Sequence, residues 1–300
     1  MDREVIRGAV LLLVVLSGSC ASGHRAPFNG PLPQVRDLGG AEARLDRAVA
    51  GSAHLCRAVV GEVAYGEYHA PVWKVAFNPG AEARHTVLLL GGIHGNEPAG
   101  SETLFRFVET LSRDPGAYGA FAIDVVPILN PWGWVHDQRF NQQGRDINRD
   151  FASFRSQEAN IVRDCVKGKT YSLIVDLHED PSGAGFYVYQ YANPDTSLSR
   201  SIIERERQIG FPIEQDVSMV ILRTKDGLID VPRWGLTYMK LTRQLSMTNY
   251  FRIENGTRVY TVESPTRVPI EHRVTMHQTA LDALLDSLNA DRETAHEVAR

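Results

Sequence analysis

Past residue 20 no apolar stretch approaches the length needed to cross a membrane. Internal repeats, heptad runs and low-complexity tracts are missing as well, so neither a repeat array nor a coiled coil is indicated. A formal net charge of −4 leaves no basic footprint, which argues against nucleic acid as a partner. Cysteine is scarce, at Cys20, Cys56 and Cys165 only. What is present, 43% hydrophobic and 23% charged residues over 300 positions, is the composition of an ordinary globular protein with one large domain.

The N-terminus differs in kind. Ala9 to Leu16 is apolar but too short for a span, Arg3 and Arg7 precede it, and Ser17-Gly18-Ser19 leads into Cys20. That is the outline of a signal peptide over residues 1–20, although Asp2 and Glu4 reduce its positive charge. The Gly-Ser-Cys ending resembles a bacterial lipobox, which implies a lipidated Cys20, an exported chain and a membrane anchor. Ser17 departs from that pattern, where an aliphatic residue is usual. Residues 21–35, with three prolines and no apolar periodicity, are expected to be a flexible tether, and 36–300 a single domain. With Cys20 lipidated, Cys56 and Cys165 would remain as an even pair, able to form a disulfide or to stay as free thiols.

The domain alternates. Strand-like runs fall at Ala58–Val63, Val72–Phe77, Val87–Leu90, Ile123–Leu129, Leu173–Leu177, Phe186–Tyr191 and Arg258–Val262. Helical patterns fall at Ala99–Leu111, Gln157–Val166, Leu198–Ile209 and Ile270–Leu288. The expected class is α/β, a mixed sheet covered by helices on both faces.

Two of these strands end in metal-ligand chemistry. Val87-Leu88-Leu89-Leu90-Gly91-Gly92-Ile93 runs into His94, with Glu97 three residues on, and Leu173-Ile174-Val175-Asp176-Leu177 delivers His178. Two imidazoles and one carboxylate are three ligands of the kinds zinc takes, leaving a fourth position for water, as in catalytic rather than structural sites. Pro98 suits the first turn of a helix whose positive end would lie near Glu97. A water nucleophile also needs a base. Glu263 is the candidate, because it follows Val259-Tyr260-Thr261-Val262 and stands before Ser264-Pro265, at the end of a strand.

Five segments in this order, H-G-N-E-P-A-G from His94, V-V-P-I-L-N-P from Val125, D-I-N-R-D-F from Asp146, D-L-H from Asp176 and T-V-E-S-P from Thr261, resemble the zinc metallocarboxypeptidases and their relatives, the succinylglutamate desuccinylases and aspartoacylases. The resemblance implies an eight-stranded mixed sheet in an α/β/α layer and one zinc per chain on His94, Glu97 and His178. It implies Asp146 as the acceptor behind His94, Glu263 as the general base, and Asn148 with Arg149 as the grip on a substrate's free carboxylate. It implies an upstream oxyanion-stabilising arginine, for which Arg139 is assigned and Arg145 competes, and a tyrosine closing over the substrate, for which Tyr250 and Tyr238 both qualify. Asn130-Pro131 departs from the family's usual Asp-Gly, and Trp132 and Trp134 beyond it are expected in the core. His136 is expected at the surface.

Three functions compete. One is an exported zinc carboxypeptidase or amidase cutting beside a free carboxylate, with murein peptides as a candidate substrate. The second is an N-acyl amino acid deacylase. The third is a non-catalytic zinc-binding lipoprotein, which would be expected to have lost a ligand or the base. The deacylases usually carry a β-rich domain after the catalytic glutamate, whereas the stretch beyond Glu263 reads as one helix and a charged tail.

Overall fold

A computed structural model describes residues 24–298 save 194, 220 and 221. The expected signal peptide and Cys20 lie outside the described residues. An eight-stranded sheet is built from β1 (Leu55–Tyr65), β2 (Tyr68–Phe77), β3 (His85–Gly91), β4 (Phe121–Val126), β5 (Leu173–Asp180), β6 (Tyr187–Tyr191), β7 (Leu228–Val231) and β8 (Arg258–Pro265). Their spatial order is β1-β2-β4-β3-β5-β8-β6-β7. The central strands β4, β3, β5 and β8 are parallel neighbours, β1 with β2, β2 with β4 and β8 with β6 pair antiparallel, and β6 with β7 is parallel again, so the sheet is mixed as expected. Val87, Leu88, Leu89 and Leu90 of β3 are all inaccessible, as a parallel strand covered on both faces requires.

Alternation along the strands divides two cores. Val87 and Leu89 of β3, with Leu173, Val175 and Leu177 of β5, face a layer made by α1 (Leu38–Ala50), α2 (Pro98–Arg113), α5 (Ser197–Ile209) and α8 (Ile270–Val298). Leu88 and Leu90, with Ile174 and the β6 tyrosines, face α4 (Gln157–Val166), α6 (Arg233–Leu241) and α7 (Met247–Asn255). The short α3 (Pro131–His136) contributes Trp132 to this second core and Trp134 to the first. The architecture is thus the expected three-layer α/β/α.

Several boundaries differ from expectation. The run expected to be extended through Leu129 leaves the sheet after Val126, where Pro127 has no N–H to donate to a ladder. Instead Leu129 N donates to Gly91 O at 3.2 Å and Asn130 N to Gly92 O at 2.9 Å, which ties the β4 exit to the turn after β3. The last helix continues beyond Leu288, to Val298. Helices α1, α3, α6 and α7 and strand β7 were not expected.

The described part of the expected tether lies along the domain. Arg25 N donates to Gly144 O, Phe28 N to Gln142 O and Val35 N to Val135 O, and Phe28 packs on Trp132. Of the two open thiol states, the structure has the free one: Cys56 is exposed on β1, and Cys165 is half-buried in α4.

Candidate metal centre

The β3 strand ends at Gly91, and the chain turns through Gly92 (φ 65°) into His94. Gly95 then lies flat against α3, where a Cβ would come within 1.9 Å of the Gly133 carbonyl carbon, so that position must be glycine. Arg36 clamps the same turn, donating to the Gly95 carbonyl at 2.9 Å and the Trp134 carbonyl at 2.7 Å. Glu97 caps α2, with Pro98 in the first turn, and its carboxylate sits at the positive end of that helix. Across the gap, β5 carries Asp176 and His178 on one face and Glu179 on the other.

These chain ends bring His94, Glu97 and His178 together with one ligand atom of each within 4.8 Å of the others. His94 Nδ1 and His178 Nδ1 each lie 2.8 Å from a Glu97 oxygen, Oε1 and Oε2 respectively. Behind them, His94 Nε2 meets Asp146 Oδ1 at 3.1 Å and His178 Nε2 meets Asp176 Oδ2 at 2.8 Å. An ionised carboxylate only accepts, so each ring donates from Nε2 to its aspartate, and with a cation in the site each Nδ1 would give up its proton and turn a lone pair toward the ion. His94 Nδ1 is buried with no hydrogen-bond partner. Two lone pairs and a carboxylate converging on one point form a donor set that fits a divalent cation. Among the described residues no other group of His, Cys, Asp or Glu gathers in this way.

The electrostatics agree. Burial alone would raise the Glu97 carboxyl, but His94 and His178 pull it well below the ordinary carboxylate range. Asp146 is likewise held low against its burial, by His94, then Arg139 and Arg149. Burial would lower His178, yet Asp176 and Glu97 raise it well above the usual value. The ligands form a tightly compensated charge cluster with the surface nearly closed over it.

Glu263 pairs in register with His178 across β8 and β5, so both side chains rise from the same face. Burial pushes its carboxyl up to about 8, His178 opposes this, and Glu97, Asp180 and Asp176 add to it. Arg139 is fixed beside the ligands, its guanidinium 3.0 Å from Asp146 Oδ2 and 3.2 Å from Glu97 Oε1. Asn148 is buried, its Nδ2 3.3 Å from His178 Nε2 and its Oδ1 accepting from Met247 N at 2.9 Å. Arg149 bonds the Asn148 carbonyl at 2.8 Å and has no carboxylate partner among the described residues. The competitor Arg145 turns away toward His24.

Neither tyrosine candidate hydrogen-bonds a residue of the cluster among the described residues. Tyr250 packs against Phe151, Phe154 and Phe251, and its phenol is raised by burial first and then by Glu254. Tyr238 is half-buried in α6. The tyrosines near the base lie on β6: burial first, then the charge of Glu263, raises both Tyr187 and Tyr189, and Arg149 also acts on Tyr189. Tyr187 donates to Asp180 at 2.9 Å, and Tyr191 shares a 2.8 Å bond with Thr261. The period-two spacing of Tyr187, Tyr189 and Tyr191 was the available signal. Asp176 was also legible, since residues two apart on a strand share a face. His136 Nδ1 donates to the Pro33 carbonyl at 3.0 Å, half-buried beside Trp132, and both tryptophans are in the core.

Residues 83–218 match the family described as the succinylglutamate desuccinylase/aspartoacylase catalytic domain. A carboxypeptidase 2 of Trichophyton tonsurans is 29% identical over 105 residues, covering 33% of this chain and 19% of its own length. The chain therefore spans about a fifth of that curated relative. Among solved structures, a candidate metallopeptidase of Shewanella denitrificans superposes with a TM-score of 0.70 at 19% identity, covering 88% of this chain and 98% of the other. A metallo-carboxypeptidase of Burkholderia cenocepacia gives 0.62 at 18% identity, with coverages of 85% and 70%. At such identities the two structures speak for the fold.

Proposed function

We propose that this chain, which belongs to the metallocarboxypeptidase-like family near its succinylglutamate desuccinylase/aspartoacylase members, is an exported zinc-dependent carboxypeptidase or amidase that hydrolyses an amide bond next to a free carboxylate. The observation that carries the reading is the convergence of His94, Glu97 and His178 with Glu263 as the register neighbour of His178. A zinc ion held by those three side chains would supply a Lewis acid for the scissile carbonyl and would ease deprotonation of water. Glu263 takes the proton of the attacking water and returns it to the leaving amine. Burial raises this carboxyl in the metal-free site, and a bound cation would lower it again toward the ionised form a base needs. Arg139, held in place by Asp146, offers its remaining N–H groups to the developing oxyanion. Arg149 is the anchor for the substrate carboxylate, its planar fork matched to that partner. Tyr189, on the same sheet face as the base, feels the charge of both Glu263 and Arg149.

Cell-envelope location, with a lipid anchor at Cys20, rests on the N-terminal sequence, and murein peptides are a substrate class compatible with it. A second reading, an N-acyl amino acid deacylase, is favoured by the catalytic-domain match over 83–218. It uses the same base and the same carboxylate anchor. The deciding experiment offers the zinc-loaded protein a panel of free-acid peptides, their C-terminal amides, murein tripeptides and N-acyl amino acids. Cleavage of free-acid peptides with amides spared supports the first reading; cleavage confined to N-acyl amino acids supports the second. Arg149→Ala should cost about 2–4 kcal/mol in kcat/KM on free-acid substrates and far less on amides. Equal losses on both would remove Arg149 as the anchor.

A further inference from the structure

The side chains that assemble the metal ligands are tied together on the opposite face of the sheet. His178 points to the site face of β5, so Glu179 points to the other, toward α2. The two ligand-bearing segments exchange crossed bonds, one at the ligand cluster and one on the far face. The Glu97 carboxylate accepts the Glu179 N–H at 3.0 Å, while the Glu179 carboxylate accepts the Ala99 N–H at 2.5 Å. Helix α2 can approach this closely because residue 100 is glycine, where a Cβ would stand 2.7 Å from the Leu177 carbonyl oxygen.

Helix α8 closes the arrangement from outside. Arg273 and His277, one turn apart on one face, both reach the same strand end. Arg273 donates to the other Glu179 oxygen, and His277 Nε2 donates to the His178 carbonyl at 3.0 Å. A carbonyl can only accept, so His277 carries its proton on Nε2. The inaccessible His277 ring and the nearly inaccessible Glu179 carboxylate have no role in the reaction derived above. Groups buried at this cost are retained where they hold something in place.

We propose that Arg273 and His277 of α8 are positioning residues for the metal centre, locking the Glu97 segment to the His178 segment so that the ligand atoms stay converged. This rests on the metal-ligand reading above and deepens it: the determinant of metal retention extends to the C-terminal helix, on the far side of the sheet from the bound ion.

The test measures zinc affinity by competition with a chromogenic chelator, alongside thermal unfolding of the metal-free protein. His277→Leu removes the donor and keeps an apolar shape; His277→Gln keeps a donor near the Nε2 position; Arg273→Met removes the cation paired with Glu179. His277→Leu and Arg273→Met should weaken zinc binding about 10–100-fold, the usual size for partners behind metal ligands, while His277→Gln stays close to wild type. The two weakened variants break different bonds, so misfolding of one leaves the other as the test. Folded His277→Leu and Arg273→Met proteins that bind zinc as tightly as wild type would overturn the proposal, as would His277→Gln failing as badly as His277→Leu. If the wild type itself takes up no zinc, the ligand reading fails first, a result distinct from variants that match a zinc-binding wild type.

Discussion

Glu97 and Glu206 are the same side chain in nearly the same isolation, 3% and 0% exposed, with opposite fates. Glu97, at the start of α2, faces two imidazoles and the N–H of Glu179, and its charge is held firmly. Glu206, in α5, has neither carboxyl oxygen bonded, and burial alone pushes it up to about 9. One is a charge kept because its surroundings compensate it. The other stays neutral because nothing does. Glu263 stands between them, raised by burial to about 8 yet opposed by His178, which is the state a proton carrier needs.

The largest test of this contrast concerns that intermediate residue. Glu263→Gln keeps the shape and removes the proton exchange, so kcat should fall by roughly 10² or more with zinc retained. Because the base must be ionised, the wild-type rate should also fall as pH drops through the carboxyl's working pKa. A bound cation would set that value below the metal-free one of about 8. The acid limb should vanish from the residual activity of the variant. A variant with wild-type kcat would remove Glu263 from the chemistry.

A smaller effect probes how the compensated region is held. Asp176→Asn withdraws the charge behind His178 while leaving an acceptor, and zinc affinity should drop about 10–100-fold. An unchanged affinity would mean that the 2.8 Å contact between them does not orient the ring.

The smallest effect lies at Glu206. Its folded pKa, about 9, stands above the ordinary 4.5, so the unfolded chain gives up its proton first as pH rises. Its contribution to stability is therefore complete below about 4.5 and is lost as pH climbs through about 9. Glu206→Met should be the more stable protein by on the order of 1 kcal/mol near neutral pH, with the gap widening up to about pH 9. Chemical denaturation at several pH values measures it, and a gap that is flat with pH would show that Glu206 already ionises when folded.

The two glutamates also show what the sequence could and could not disclose. Glu97 was legible because H-x-x-E follows an apolar strand and precedes proline, a local pattern with a local cause. The alternation of apolar strands and periodic helices likewise exposed the α/β/α layering. Glu206 occupies the fourth place of a helical stripe with Ser199, Ile202 and Ile203, and a charge at such a position ordinarily reads as solvent-facing. Only the packing of α5 on its neighbours makes it a buried acid. Arg273 and His277 were hidden for the same reason: their partners lie on β5, far away along the chain, and no local pattern announces them. Tyr250 and Tyr238 lie in a segment without firm motifs, and Tyr250 packs in the aromatic cluster around Phe151. The β6 tyrosines could have been found, because strand alternation places three phenols on the face that Glu263 shares.

The central claim is that His94, Glu97 and His178 hold one catalytic zinc, and equilibrium metal analysis of wild type and His178→Ala tests it most directly. The account expects one zinc per wild-type chain after dialysis against micromolar metal, and none in a folded His178→Ala protein. Full stoichiometric zinc in the variant would contradict it.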